Sequence, residues 1–185
     1  MPKQVINQGE EKMIKTIEAI KRDFATVRTG KANPAILNNV NVEYYGMMTP
    51  LAQIASISVP DPKTIMVKPF DKSILKGVEK ASQTADLGFN PINDGEVIRI
   101  PIAPLTEATR KELVKQVKKM TEDGKVAIRN IRRDVIENLK KMEKDSLISE
   151  DMLKKHNDEV QKLTDKYILQ IENIAKEKEQ AIMII

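Results

Sequence analysis

TEATRKELVKQVKKMTEDGKVAIRNIRRDVIENLKKMEKD, Thr106 to Asp145, contains no proline and a single glycine. Its apolar residues fall at Leu113, Val117, Met120, Ala127, Ile131, Val135, Leu139 and Met142, mostly three or four apart, with Gly124 in the place expected between Met120 and Ala127. That is the stripe of one amphipathic helix. At 1.5 Å per residue it would run about 60 Å, too long to bury itself in a small globule. The stretch is too charged to cross a membrane, so it needs partner helices along its length.

The same stretch sorts its charges. On a wheel of 100° per residue, Lys111, Lys115, Lys118, Lys125, Arg132, Arg133 and Lys140 project within about 60° of Arg129. The apolar stripe is expected on the opposite side, with Glu112, Asp123, Asp134 and Glu137 along one flank and only Glu122 among the cations. A solvated helix usually mixes its signs through i,i+4 pairs. Four of the seven arginines, Arg110, Arg129, Arg132 and Arg133, lie here, and arginine suits planar phosphate contact. The residues alone leave open a solvated scaffold face and a polyanion-binding rod.

Charge along the chain supports the asymmetry. Residues 105–145 carry +4, against +2 for 1–29, zero for 30–104 and −2 for 146–185. With pI near 9.1, any nucleic-acid contact should be local. Cysteine is absent, which excludes a disulfide framework, a thiolate metal site and a cysteine nucleophile. The opening MPKQVINQGEEK lacks a signal-peptide core, and no apolar run could span a membrane. A cytoplasmic protein is expected.

Residues 10–28 predict a first helix with Met13, Ile14, Ile17, Ile20, Phe24 and Val27 on one face, ending at Gly30 and open to an earlier start because Lys3–Gln8 holds no breaker. Eight of nine prolines and five of seven glycines then fall between Gly30 and Pro104. Strands are expected at 41–45, 54–59, 64–68 and 97–102, with turns at Tyr45-Gly46, Pro60-Asp61-Pro62 and Asn93-Asp94-Gly95. One helix, capped by Asp71 or Ser73, should turn Ile74, Val78 and Ala81 inward. Beyond Pro104 no proline follows. Thr106 caps the long helix, Asp145–Ile148 breaks it, and Ser149 caps a last one with Glu150 and Asp151 in its first turn. The last apolar face is Leu153, Val160, Leu163, Tyr167, Ile171 and Ile174, and the Ile182–Ile185 tail is expected to pack in a core. The fold class is therefore α+β: an antiparallel three-helix bundle (1–29 with 105–185) with an inserted β/α/β domain at 31–104. The two crossings, Thr29, Gly30 and Lys31 with Ala103 and Pro104, form a paired linker that can hinge.

Catalytic signatures are missing. The chain has no phosphate-cradling glycine loop and no serine elbow. His156, the sole histidine, falls near the seam of the last helix and reads as a structural residue at the seam edge or partly exposed. Tyr44-Tyr45 could stack on bases, but strand alternation turns one of them to the core. No cofactor and no metal is expected.

The chain resembles the bacterial ribosome recycling factor family throughout. The matching motifs are RTGKANPAIL (28–37), VEYYG (42–46), TPLAQIASISV (49–59), ADLGFNP (85–91), PLTEATRKELVK (104–115) and KVAIRNIRRD (125–134). The resemblance implies a three-helix rod with a smaller β/α/β domain, bent like a transfer RNA. It implies a non-enzymatic monomer that binds the post-termination ribosome on its large subunit. With elongation factor G and GTP, which this chain does not itself bind, it would split the subunits. The implied ribosomal-RNA contacts are Arg110, Arg129, Arg132 and Arg133, with Arg132 foremost; Lys125 and Lys118 share the face. Departures from the family pattern are Lys31, Thr109, Val135-Ile136 and Gly124, the last costing about 1 kcal/mol of helix propensity. A coiled-coil scaffold and a general RNA-binding protein are the alternatives.

Overall fold

A computed structural model describes residues 1–84 and 90–184. Of the ADLGFNP motif only Asn90 and Pro91 fall within it, and Ile185 lies outside it. The chain divides into two compact units: 1–24 with 114–180, and 25–113 with 181–185.

The first unit is helical. Helix α1 spans Pro2–Thr26, α4 spans Glu107–Lys144 and α5 spans Glu150–Met183; the parts of α4 and α5 within this unit pack with α1 as a three-helix bundle. Helix α1 takes the earlier start that the breaker-free Lys3–Gln8 run allows, and it ends at Thr26, two residues short of 28. Its buried face is Ile6, Gly9, Met13, Ile17, Ile20 and Phe24. Ile14, expected inward, is 41% exposed.

Both expected N-caps form: the Thr109 amide donates to Thr106 Oγ1 at 3.1 Å, and the Met152 amide to Ser149 Oγ at 3.2 Å. Helix α4 stops in a Schellman motif. Ser146 takes φ +56°, with its amide on the Glu143 carbonyl and that of Leu147 on Met142, each at 2.9 Å. A serine thus holds the left-handed position where glycine is usual.

One end of the bundle core joins Ile6, Val135, Leu139 and Val160, with Ile131, Leu153 and Leu163 against them. Close approach of α1 to α4 depends on two glycines. A Cβ on Gly9 would collide with Val135 Cγ2, and one on Gly124 with Ile20 Cδ1. Gly124, a helix weakness on propensity alone, is the hole that Ile20 fills.

The second unit carries two antiparallel sheets. Strands β1 (Asn41–Tyr44) and β2 (Met47–Pro50) form a hairpin in the register Val42 to Thr49. Its turn places Tyr45 at φ +48° and Gly46 at +78°, the mirror-image turn that suits strand twist. A one-turn helix α2 (Leu51–Ile54) leads into β3 (Ala55–Asp61) and β4 (Thr64–Pro69). Helix α3 (Leu75–Thr84) precedes β5 (Ile92–Asn93) and β6 (Ile98–Pro101), giving sheet order β3-β4-β6-β5.

The four expected strands are present. The short β2, β5 and α2 carried no alternation long enough to read. Asp71 caps the turn that enters α3 by accepting the Ser73 amide at 2.9 Å. Helix α3 is rotated from expectation: Leu75, Val78 and Ser82 are buried, while Ile74 and Ala81 are half-buried. The core comprises Val42, Leu51, Ile65, Val67, Val78, Ile98 and Ile100, each fully buried. Of the terminal tail, Ile182 is buried but Met183 and Ile184 are more than half exposed, so only part of it packs.

Candidate nucleic-acid interface

The buried line of α4 is Val117, Gly124, Ile128, Val135 and Leu139. It lies about 110° from Arg129 on the wheel, on the Arg132 side, and not opposite the cations. Leu113, Met120, Ala127 and Ile131, read as stripe residues, are only half-buried, whereas Ile128, left out of that stripe, is fully buried. The cause is that α4 packs against both α1 and α5, so its seam follows their shared crevice and not the mean of its apolar residues.

This rotation divides the six expected contacts. Lys125 and Arg132 sit on the edge nearest the seam and turn to α5. Lys125 Nζ pairs with Glu172 at 2.7 Å and is only 18% exposed. Arg132 Nη1 donates to Gln161 Oε1 at 2.6 Å, while its Nε is buried with no hydrogen-bond partner. Arg129 lies mid-face and pairs with Glu122 at 3.3 Å, two turns back on its own helix. Lys118 and Arg133 are exposed and have no ion pair among the described residues.

Arg110 is apart from these five. It belongs to the second unit and lines a cleft of about 230 Å³ with Lys63, Leu105 and Ile184. Its Nε too is buried without a partner. Thr29, Gly30, Lys31 and Pro104 line the same cleft, and Ala103 accepts a bond from Arg28 Nη2 at 3.5 Å. All five expected linker residues thus fall inside the second unit, whose limits are 24–25, 113–114 and 180–181.

The other candidates resolve structurally. His156 is buried, not partly exposed, with Nδ1 3.2 Å from Glu159 Oε2. Among the described residues no cluster of His, Asp or Glu could hold a metal, and no helix is long and apolar enough to cross a membrane. Tyr44 packs against the β core, and Tyr45 is 83% exposed in edge contact with it. Sequence reading missed the Tyr167 hydroxyl, which donates to Glu10 Oε1 at 2.8 Å and ties α5 to α1. Burial first, then that carboxylate, push its pKa up to about 12.

What the face offers chemically is a line of cations, a chemistry suited to binding phosphate. The family model for ribosome recycling factor matches residues 20–183. The chain belongs to the ribosome recycling factor family. The ribosome-recycling factor of Geobacillus sp. (strain WCH70) is 55% identical over 183 residues, 99% of each chain. That of Caldicellulosiruptor saccharolyticus is 58% identical over 178 residues, 96% of this chain and 97% of the relative. A solution structure of a ribosome recycling factor superposes with a TM-score of 0.77 at 38% identity, covering 98% and 97% of the two chains. A second family structure is the T. thermophilus factor, described together with E. coli elongation factor G on the E. coli post-termination complex. It matches with a TM-score of 0.70 at 44% identity over the full length of both chains.

Proposed function

We propose that this chain recycles ribosomes: it binds the post-termination ribosome on the large subunit and, with elongation factor G and GTP, separates the subunits in the cytoplasm. Family membership over nearly the whole chain carries this reading. The protein contributes no chemistry of its own. Its part is to bind and to transmit motion, with energy from a GTPase that it lacks.

The RNA-binding part falls to α4. Arg129, Arg132, Arg133, Lys118 and Lys125 contact ribosomal RNA phosphates along one face, and Arg110 adds a contact of its own from the second unit. Concentrated positive charge on this helix, between a neutral β segment and an acidic last segment, steers it to a polyanion. Motion falls to the crossings at Thr29–Lys31 and Ala103–Pro104, where the inserted β domain at 31–104 joins the helices. Small-angle scattering that gives one fixed shape, free and with an extra residue beside Gly30 and Ala103, refutes that hinge.

Large-subunit binding in the presence of excess duplex RNA tests the RNA reading. A recycling factor keeps its affinity for the subunit. A general RNA binder is competed away, with equally steep salt dependence for both ligands.

A further inference from the structure

Three cations of α4, Lys125, Arg129 and Arg132, are held in two chemically different ways. Arg129 and Lys125 meet carboxylates, Glu122 at 3.3 Å and Glu172 at 2.7 Å. An RNA phosphate approaching either must displace or share an acid that already offsets the charge. Arg132 instead meets an amide. Its Nη1 donates to Gln161 Oε1 at 2.6 Å, and Gln161 Nε2 donates in turn to Asp165 Oδ1 at 2.9 Å.

Asp165 lies one turn beyond Gln161 on α5 and fixes which way the amide points. Reversal would set NH2 against guanidinium and carbonyl against carboxylate. We propose that Gln161, oriented by Asp165, is a positioning residue for Arg132: a neutral tether that fixes the guanidinium without cancelling its charge, so that it meets RNA phosphate already oriented. The proposal rests on the reading that the basic face of α4 binds ribosomal RNA. A guanidinium has five N–H donors in a rigid fork, so one tethered donor leaves others for phosphate. Prior ordering lowers the conformational entropy lost on binding.

Five variants of the full chain test this against purified bacterial large subunits across a salt series, with circular dichroism as the folding control. Gln161→Met keeps length and charge but loses the acceptor, and should weaken binding about three- to tenfold with the salt slope unchanged. Gln161→Glu converts the tether into an ion pair, and should weaken binding on the order of tenfold or more while lowering the salt slope by about one. Gln170→Glu makes the same charge change about 180° around α5 and should stay within about twofold of the parent. Asp165→Asn adds net positive charge, which general electrostatics would reward; it should nevertheless weaken binding, because Gln161 loses its fixed orientation.

Equal effects of Gln161→Glu and Gln170→Glu, or tighter binding by Asp165→Asn, overturn the proposal. Arg132→Ala separates the layers. If it binds as the parent does, the RNA-face reading fails and takes the proposal with it. If it loses affinity while Gln161→Met and Gln161→Glu do not, only the positioning role fails.

Discussion

The two units put their acidic side chains to different main uses. In the β unit the turn residues bond to backbone. Asp61 accepts the Lys63 amide, Asp71 that of Ser73, and Asn93 that of Gly95, while Asp94 accepts both Glu96 and Val97, all near 2.9–3.0 Å. In the helical unit the backbone bonds itself, so charged side chains are left on the faces. There they meet one another or, as with Lys118 and Arg133, remain open. A sheet with many turns consumes its acids, whereas long helices leave charges free for a partner. The proposed binding surface draws on the charges left open on the bundle.

The largest expected effect breaks that contrast directly. Reversing Arg129, Arg132 and Arg133 to Glu should cost on the order of a hundredfold or more in large-subunit affinity, with helicity by circular dichroism unchanged. Reversing Lys68, Lys72 and Lys76 on the β unit should change it several-fold at most. Comparable losses from the two sets would erase the distinction.

Stability should differ in kind as well. Gly9→Ala forces a methyl group into Val135, a β-branched side chain with little freedom in a helix, and should cost about 1–3 kcal/mol in urea unfolding. Gly124→Ala meets chiefly the Cδ1 end of Ile20, with Cγ1 behind it, which can turn aside, so a propensity gain of about 1 kcal/mol offsets the repacking and the net should lie near zero. Equal losses at both sites would contradict the packing seen between α1 and α4.

In the β unit the sensitive variable is pH. Bonds from the Val97 and Glu96 amides hold the Asp94 carboxyl below its usual range, and the Ser73 amide does the same to Asp71. A lowered folded-state pKa contributes stability above the unfolded value of about 3.9, and that contribution is lost as pH falls through the folded value. Asp94→Ala should therefore lower the urea midpoint at pH 7 and converge with the parent in acid, whereas the Gly9→Ala difference should hold across that range. The smallest expected change is a gain. Ser146→Gly relieves the left-handed strain closing α4 and should add about 0.5 kcal/mol, read as a rise in the midpoint.

Much of this was legible in the sequence wherever signals repeat over many residues. The long helices, both hydroxyl caps and the four longer strands follow from periodicity and Thr106, Ser149 and the Asx turns. Two-residue β5 and Met-rich β2 have no period to read. Ser146 conceals a left-handed residue behind a side chain that rarely adopts it. The site was legible as a set of residues but not as an arrangement. The wheel grouped Arg129, Arg132, Lys125 and Arg133, but that Arg132 meets Gln161 and Lys125 meets Glu172 depends on where α5 lies. The burial of Ile128 records that placement, and an averaged stripe cannot supply it. Gly9 and Gly124 show the same limit: both look like helix weaknesses until Val135 and Ile20 are seen occupying the space they leave.

The measurement closest to the central claim is light scattering of post-termination ribosomes mixed with this protein, elongation factor G and GTP. The expected result is separation into subunits only when all three are present, greatly reduced for the Arg129, Arg132 and Arg133 reversal. No separation with the parent protein, or full separation with the reversed one, would contradict it.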